Sequence, residues 1–422
     1  MFFCSDCGNE YIKWEGKCKC GQWGTIKKIP DYDKPKKKGD IDVDKLNIQE
    51  ENEENDHSNK IDCSIEEFNR VCSLHKKSSL IIGGEPGIGK STLMGQIAAS
   101  IKGNCLYLAG EESVSNVRQR IKRVCKNYDN ITIVNFFFIE DLEDLIIKNK
   151  PVLIILDSIH TTRSYDNNQN AKDNILKLTF LARKHDCAFL IVSHITKDGI
   201  IAGPKTLEHM VDVVLYLEGD RYGGIRFLRS IKNRFGPNSE TGIFEMTATG
   251  MNEVSNPSAL FISNKVQGAA GSVVFAGVAG SRPMLIEIQA LVTESNFPQV
   301  ESIGFSAQRL KMILAILQKW CHIKLFKHDV FVNVVSGIKI QDPAADLAVA
   351  MAIISSIKNR SISAEVCFFG ELGLTGEVRR CSDMDLRIKE ALRLNFQKIY
   401  SNSKHDKVTE IKMLSSIVKL LC

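Results

Sequence analysis

The chain has 422 residues, enough for about three domains of ordinary size. Apolar residues make up 44% and charged residues 25%, which is typical of a globular protein and excludes a collagen-like, coiled-coil or mostly disordered chain. The net charge of +5 permits a polyanionic partner without requiring one. No apolar run approaches the roughly 18 residues that span a bilayer, and the N-terminus lacks a secretory pattern. We therefore expect a cytoplasmic protein without a membrane partner.

The cysteines predict a metal site at the N-terminus. Of the 13 cysteines, four lie within the first 20 residues and the others are scattered, mostly in apolar stretches, as in a protein of a reducing compartment. The four are Cys4, Cys7, Cys18 and Cys20. Two close pairs of thiolates supply the tetrahedral ligand set of a structural zinc ion. Residues 1–29 are therefore predicted to form a zinc ribbon whose folding energy comes from the metal.

Residues 30–60 are predicted to be a flexible linker. From residue 31 to residue 60 there are ten acidic and six basic residues but only five large apolar ones. Such a segment buries too little apolar surface to offset its ordering entropy. The basic run from Lys34 to Lys38 is either solvated charge or an arm that touches nucleic acid.

Residues 61–255 alternate between apolar runs and helical periodicity, which predicts a mostly parallel α/β sheet. Several of the apolar runs have no polar positions, as strands buried on both faces require. The predicted strands are 79–84, 104–110, 130–136, 151–157, 187–194 and 211–219, and the predicted helices are 91–102, 114–127 and 174–185.

Residues 256–422 repeat the α/β pattern after a Gly, Pro and Asn-rich boundary at 250–257. We expect a second α/β domain here. The predicted strands are 271–277, 284–292, 330–336 and 365–369, and the predicted helices are 305–320, 343–357, 384–394 and 405–421.

A phosphate-binding loop follows the predicted strand 79–84, the first apolar strand of residues 61–255. The segment GEPGIGKS matches G-x-x-x-x-G-K-[ST] at every fixed position, between a strand and a helix as the motif requires. Backbone N–H groups of the loop surround the β-phosphate, the lysine contacts the β- and γ-phosphates and the serine hydroxyl binds Mg²⁺. The predicted ATP-binding residues are Gly84, Glu85, Pro86, Gly87, Ile88, Gly89, Lys90, Ser91 and Thr92.

Two acidic positions complete the predicted hydrolytic site. Asp157 ends the apolar run PVLIILD, where a carboxylate holds Mg²⁺ beside the nucleotide, although such a residue is also a common helix cap. Glu111 and Glu112 follow the strand YLAG at the same edge of the sheet. Glu111 is our candidate for the base that activates water, and Glu112 is the alternative. Without a catalytic role, either residue would be an ordinary acid at the start of a helix.

Several motifs, in this order, resemble the bacterial RadA/Sms DNA-repair ATPases. They are Cys4-x-x-Cys7, GEPGIGKST, YLAGEES, IILDSIHT, SHITKDGIIAGPKTLEHM, IKNRFG, FVNVVSGIKIQDPAADLAVA and FFGELGLTGEVRR. The resemblance implies a RecA-like P-loop ATPase core, an N-terminal zinc finger and a Lon-protease-like C-terminal domain. It also implies a hexameric ring on single-stranded and branched DNA, ATP-driven branch migration, and work beside a RecA recombinase.

The resemblance also assigns roles to particular residues. Lys232 and Arg234 belong to the signature KNRFG, and two cations that point to the same side of a strand suit the γ-phosphate of a neighbouring protomer. A solvated strand end is the plain alternative. His194 would sense the nucleotide state or merely cap a strand. The polar loops Thr162–Asn170 and Lys197–Lys205 would grip DNA, unless they are ordinary surface loops.

The chain departs from this family in two places. Only Lys19 separates Cys18 from Cys20, where the family has two residues, and this strains a tetrahedral site. Upstream of the phosphate loop, residues 71–79 lack the usual glycine-rich segment, which affects local contacts rather than the phosphate chemistry.

The Lon-like region raises the alternative of an ATP-dependent protease. Lon-type chemistry needs a Ser nucleophile and a Lys base, but the corresponding positions are Ala344 and, approximately, Asp385. We therefore expect a non-proteolytic domain that builds the ring and faces DNA. Its candidate contacts are Arg309, Lys311, Lys319, Lys324 and Lys327, for each of which solvated charge is the default interpretation. A nucleotide-gated DNA-binding scaffold with negligible turnover is a third hypothesis.

Overall fold

A computed structural model describes residues 2–4, 10–11, 13, 16–17, 19, 26–28, 59–136, 138–164, 171–193, 206–219, 224–263 and 265–418. The chain forms two compact units, residues 1–55 and 56–422. The first unit contains an antiparallel sheet of β1 (Phe2–Cys4), β2 (Glu10–Tyr11) and β3 (Ile26–Lys28), with β1 in the middle. Among the described residues, no helix is both long and apolar enough to cross a membrane.

The second unit begins with a large sheet around the phosphate loop. Its parallel strands are β6 (Ser79–Gly84), β7 (Cys105–Ala109), β8 (Ile131–Asn135), β9 (Leu153–Asp157), β10 (Ala188–Val192) and β11 (Val213–Gly219). They lie in the order β11-β6-β10-β9-β7-β8. Nearby, β4 (Lys60–Ile61) and β5 (Leu74–His75) form a small antiparallel pair. The predicted parallel sheet is confirmed, with each strand within two residues of its expected bounds.

Helices cover both faces of this sheet, because its strands are apolar on both sides. The helices of this region are α1 (Glu66–Val71), α2 (Lys90–Ser100), α3 (Val114–Val124), α4 (Leu142–Asn149), α5 (Ala171–Lys184) and α6 (Thr206–Met210). One apolar core contains residues of α2 and α3, and a second contains residues of α4 and α5. Ser113 begins α3 by accepting the N–H of Asn116 at 3.3 Å, a side-chain cap.

Three antiparallel strands extend the sheet beyond β11. They are β12 (Ile225–Asn233), β13 (Thr241–Thr247) and β14 (Gly250–Glu253), each paired with the strand before it. Leu228 and Phe244 pack into the core beneath α2. Ile225, Phe227 and Ile243 belong instead to the core of the C-terminal part of the chain. These strands are therefore shared between the two predicted domains.

A second sheet organises the C-terminal part. Its strands are β15 (Ser272–Ala279), β16 (Arg282–Glu294), β17 (Val300–Ile303), β18 (His328–Val334), β19 (Val366–Phe368), β22 (Lys398–Ser401) and β23 (Val408–Glu410). The order is β17-β18-β16-β15-β19-β22-β23. A separate hairpin joins β20 (Glu371–Leu372) to β21 (Val378–Arg379). The helices are α7 (Pro257–Ile262), α8 (Ala307–Trp320), α9 (Asp346–Lys358), α10 (Met384–Arg393) and α11 (Leu414–Val418).

The four strands predicted for this part are present, but the helix predicted at 405–421 is wrong in its first half. There, Val408–Glu410 forms a strand that pairs in parallel with β22. The β-branched Val408 and Thr409 suit that sheet edge, which sequence periodicity alone does not reveal. Within the described part of this stretch, which ends at residue 418, the helix is Leu414–Val418.

Candidate nucleotide-binding site

The phosphate loop connects the end of β6 to the start of α2. Gly89 lies immediately before α2 in a left-handed conformation, with φ of +111°. A Cβ atom on Gly89 would lie 2.3 Å from the Met251 side chain and 2.4 Å from that of Met246. The backbone angle therefore favours glycine at this position, and any side chain here would also displace the ends of these two methionines. Glycine also has no side chain to cap α2, so the helix N-terminus stays available to a phosphate.

Lys90 is buried at the first position of α2. Its Nζ donates to the carbonyl oxygens of Gly84 at 2.8 Å and Glu85 at 3.1 Å. Burial lowers the pKa of Lys90, whereas the charges of Asp157 and Glu111 act in the opposite direction. The ammonium group thus lies between the loop and two carboxylates, where the β- and γ-phosphates and Mg²⁺ of a nucleotide are expected to bind.

Asp157 is buried at the carboxyl end of β9. The hydroxyl of Tyr107, on the neighbouring β7, donates to its Oδ2 at 2.6 Å. Burial, followed by the charge of Asp157, raises the pKa of Tyr107 well above its usual value. The tyrosine therefore stays protonated and holds one carboxylate oxygen in place. Sequence reasoning missed Tyr107, because its partner lies 50 residues away.

The two acidic candidates after β7 have different environments. Glu111 is exposed, and its Oε1 accepts a hydrogen bond from the Ser158 hydroxyl beside Asp157. The backbone N–H of Glu111 also donates to the Asp157 carbonyl at 3.2 Å. Glu112 instead forms an ion pair with Arg120 of α3. Glu111 is thus the acid tied to the end of β9, and Glu112 is the acid tied to a helix.

Arg226, on β12, supports the phosphate loop, and this role was not predicted from the sequence. It is buried, and its Nε donates to the carbonyl of Ile88 at 3.0 Å. On the other side of α2, the Gln96 amide exchanges hydrogen bonds of 3.0 and 2.9 Å with the Met251 backbone. A charged residue within the apolar run of β12 was the available signal, since buried arginines need specific partners.

Lys232 and Arg234 lie on the side of the sheet where β6 begins, whereas the phosphate loop lies on the side where β6 ends. Asn233 pairs with Val213, and Val213 pairs with Leu80 near the start of β6, whereas the loop follows the end of β6. The six residues of β6 span roughly 17 Å. One chain therefore does not bring these two cations to its own phosphate loop.

Both cations contact the segment before β11. Lys232 Nζ donates to the carbonyls of Glu208, His209 and Val211 at 3.1, 3.2 and 2.7 Å. Desolvation and the neighbouring Arg234 lower the pKa of Lys232. Arg234 Nη1 lies 3.1 Å from Asp212 Oδ1, and 55% of its side chain is exposed.

Several predicted residues lie outside the described part of the chain. They are Cys7, Cys18, Cys20, residues 165–170, His194, Lys197 and Lys205. Cys4 is described as the last residue of β1. Within the residues that the structure describes, no group of three or more His, Cys, Asp or Glu residues is arranged to hold a metal ion. The zinc ribbon therefore stays a prediction.

Comparison with known proteins identifies the family. The DNA repair protein RadA of Rickettsia felis is 40% identical over 100% of this chain and 98% of its own length. The DNA repair protein RadA of Bacillus subtilis is 37% identical over 94% of this chain and 91% of its own. The chain belongs to the RadA family of DNA repair proteins. Residues 49–199 also match the AAA domain family, and residues 299–403 match the family described as subunit ChlI of Mg-chelatase.

Two solved structures resemble part of the RadA-type chain. A KaiC-like protein from Pyrococcus horikoshii aligns with a TM-score of 0.37 and 15% identity, covering 43% of this chain and 91% of its own. The solved ATPase domain of another protein aligns with a TM-score of 0.38 and 14% identity, covering 43% and 86%. The full-length relatives confirm the predicted RadA resemblance, and the protein is a DNA repair ATPase.

The Lon-like region of this RadA family member lacks a Ser-Lys pair at the expected place. Ala344 is buried in the turn before α9. Asp385, on α10, is exposed, and the α10 side chain that reaches this turn is Arg387. Arg387 is buried and lies 2.7 Å from Asp342 Oδ2. A methyl group and a permanently charged guanidinium supply neither a nucleophile nor a base.

Arg309 is not a solvated cation. Its Nε and Nη2 each lie 2.6 Å from an oxygen of the buried Asp346, a bidentate pair that joins α8 to the start of α9. Arg309 was predicted as a candidate DNA contact because its partner Asp346 lies 37 residues away in the sequence and was not recognised. The other four candidates, Lys311, Lys319, Lys324 and Lys327, are exposed.

Proposed function

We propose that this DNA repair protein is a DNA-dependent ATPase that drives branch migration or strand extension of recombination intermediates. In this proposal it acts as a homo-hexameric ring, with ATP bound between neighbouring copies. The observation that carries it is the separation of two sets of residues. Lys90, Glu111 and Asp157 meet at one edge of the sheet, and Lys232 and Arg234 lie at the other. A head-to-tail arrangement of copies would bring the two sets together.

Within one copy, the loop Gly84–Ser91 and Thr92 would hold the triphosphate of ATP. Lys90 would exchange its bonds to the Gly84 and Glu85 carbonyls for phosphate oxygens. Ser91 and Asp157 would hold Mg²⁺, which neutralises charge on the β- and γ-phosphates when bound. Tyr107 would fix the orientation of Asp157, since it bonds one carboxylate oxygen.

Glu111 is the proposed general base. It is exposed at the sheet edge beside Asp157, where a water in line with the γ-phosphate would lie. Glu112 is a poorer candidate, because accepting a proton would cost its ion pair with Arg120.

Arg234 and Lys232 are proposed to act on the ATP of the next copy. Arg234 is more than half exposed, so its guanidinium is accessible to a neighbour. A permanently charged, planar group in this position stabilises charge on the transferred phosphoryl group. Hydrolysis would then depend on contact between copies.

Each predicted domain has its own role in this proposal. Residues 61–255 would form the motor, and residues 256–422 would form a non-proteolytic part of the ring that faces DNA through its exposed lysines. Loops Thr162–Asn170 and Lys197–Lys205 would contact single-stranded or branched DNA, with His194 reporting the nucleotide state. The ATPase would work in the cytoplasm beside a RecA recombinase, which makes the intermediates that it extends.

Electron microscopy and phosphate release, measured on the same purified protein, test this function. With ATP and single-stranded DNA we expect closed rings with a strand in the pore, faster phosphate release than without DNA, and extension of recombinase-made joint molecules. A protein that stays monomeric and releases phosphate at the same rate with and without DNA would contradict the proposal. ATP-dependent cleavage of casein, lost in Lys90→Ala, would favour the protease hypothesis instead.

We also propose that Cys4, Cys7, Cys18 and Cys20 bind one zinc ion. We expect elemental analysis to find one zinc per chain, and Cys18→Ser to lose it, because three thiolates do not complete a structural tetrahedral site. Substitution of Cys187, which is buried in the ATPase core, serves as the control and should leave zinc unchanged. Equal zinc content in Cys18→Ser and wild type would refute the predicted zinc ribbon.

A further inference from the structure

The hairpin between β15 and β16 contacts the loop that carries Arg234. The hairpin turns through Gly280 and Ser281, since Ala279 pairs with Arg282. At its tip, the N–H of Ser281 donates to the carbonyl of Ser239 at 2.6 Å. A Cβ atom on Gly280 would lie 1.8 Å from that same oxygen, and φ at Gly280 is +66°. Only glycine permits this approach of the hairpin to the loop.

The contacted segment, residues 234–240, connects β12 to β13, and we call it the finger loop. Its first part is held from the ATPase side, where the Phe235 ring stacks on His75 with centroids 4.6 Å apart. Its last part is held by the hairpin tip, through Ser239. The finger loop is thus held by one contact from each predicted domain, and Arg234 at its start also pairs with Asp212.

A buried ion pair fixes the same hairpin next to its turn. Arg282 begins β16, and its Nη1 pairs with Glu67 of α1, while its Nη2 donates to the carbonyls of Val254 and Ser255 at 2.9 and 3.0 Å. Glu67 Oε2 also accepts the N–H of Ile243 on β13 at 2.9 Å. Both charged side chains are nearly inaccessible, so removing Glu67 would leave Arg282 buried without its ion-pair partner. Glu67 Oε1 also lies 3.6 Å from Nε of Arg70.

The apolar packing joins the same elements. Ile225 and Phe227 of β12 and Ile243 of β13 belong to the C-terminal core, together with residues of β15 and β16. The strands that flank the finger loop therefore pack against the C-terminal core through these residues, although they pair with the ATPase sheet and also place Leu228 and Phe244 in its core. A displacement of the hairpin would move the finger loop with it.

We propose that Gly280 and Arg282 are positioning residues for ATP hydrolysis, which hold the finger loop so that Arg234 reaches the nucleotide of the next copy. This inference rests on the proposed action of Arg234 between copies. It assigns the C-terminal domain a direct part in turnover: the arrangement of that domain in the ring sets how well Arg234 is placed. Neither residue touches the nucleotide.

Two glycine substitutions form a matched test. Gly280→Ala places a methyl group against the Ser239 backbone. Gly268→Ala introduces the same change at a φ of +77°, also in the C-terminal part, with nothing within 4 Å of the added carbon. We expect Gly280→Ala to lower kcat between about tenfold and a hundredfold with little change in KM for ATP, since small misplacements of catalytic groups cost rates of this order. Gly268→Ala should keep the wild-type kcat. Equal effects on kcat would overturn the proposal.

Mixed rings locate the defect. Lys90→Ala subunits keep intact finger loops, and Arg234→Ala subunits keep intact phosphate loops. Co-expressed at equal amounts and purified through two tags, the pair should regain hydrolysis at about one interface in four. Gly280→Ala should regain activity with Lys90→Ala but not with Arg234→Ala, because it damages the same half of the interface as Arg234→Ala.

The outcomes separate the two proposals. No recovery in the Lys90→Ala and Arg234→Ala mixture would refute the action of Arg234 between copies. Recovery there, but none for Gly280→Ala with Lys90→Ala, would refute the hairpin proposal alone. Arg282→Lys provides a second variant, which keeps the charge opposite Glu67 but lacks the fork that reaches the Val254 and Ser255 carbonyls. It should lower kcat with unchanged ATP affinity, and a wild-type kcat would count against the positioning role of Arg282.

Discussion

Lys90→Ala is expected to abolish ATP hydrolysis, with a loss of about a hundredfold to a thousandfold or more, as for removal of a charged donor from a transferred group. The substitution removes the ammonium group between the phosphate loop and the two carboxylates Asp157 and Glu111. Phosphate release with saturating single-stranded DNA is the measurement.

The control for this experiment is Lys102→Ala. Lys102 follows α2 closely, but it is exposed, and its Nζ lies 3.4 Å from a carboxylate oxygen of Asp62, which is also exposed. Surface pairs of this kind contribute little, so hydrolysis should stay near the wild-type rate. Thermal unfolding distinguishes lost chemistry from lost folding: both variants should unfold cooperatively, but ATP should raise the melting temperature of Lys102→Ala more than that of Lys90→Ala. Lys90→Ala with more than a tenth of wild-type turnover would contradict the assignment.

The phosphate loop could be predicted because its chemistry fixes both spacing and residue type. Gly84, Lys90 and Ser91 lie within eight consecutive residues, so one motif contains the whole feature. The central parallel strands β6, β9 and β10 could be predicted equally well, since they are buried on both faces and appear as mostly apolar runs. Local sequence was sufficient to predict a feature wherever one segment contained all the residues that define it.

Prediction failed where a residue's role depends on a partner distant in sequence. Tyr107 bonds Asp157, and Arg309 pairs with Asp346, and neither tyrosine nor arginine marks such a contact in its own segment. The strand at Val408–Glu410 could not be told from helix, because its identity depends on pairing with β22. The contact of Gly280 with Ser239 is of the same kind, since it joins two turns from different sheets.

Glu111→Gln tests the chemical step itself, as distinct from nucleotide binding. We expect hydrolysis to fall by about a hundredfold to ten-thousandfold, the usual contribution of a general base, while ATP still binds. The amide keeps the size of the carboxylate and still offers an oxygen to the Ser158 hydroxyl, so the loop geometry should be preserved. A fluorescent ATP analogue measures binding, and single-turnover phosphate release measures chemistry.

Glu112→Gln is the matched control, one residue away. It weakens the ion pair with Arg120 on α3 without changing the acid tied to Asp157 through Ser158, so turnover should stay within about threefold of wild type. If Glu112→Gln instead abolished hydrolysis and Glu111→Gln did not, the base would be Glu112, released from Arg120 when ATP binds. If neither mattered and wild-type turnover were negligible with DNA, the protein would be a nucleotide-gated scaffold. A loss confined to Glu111→Gln requires an ATPase and excludes a scaffold with negligible turnover, because only turnover depends on that proton acceptor.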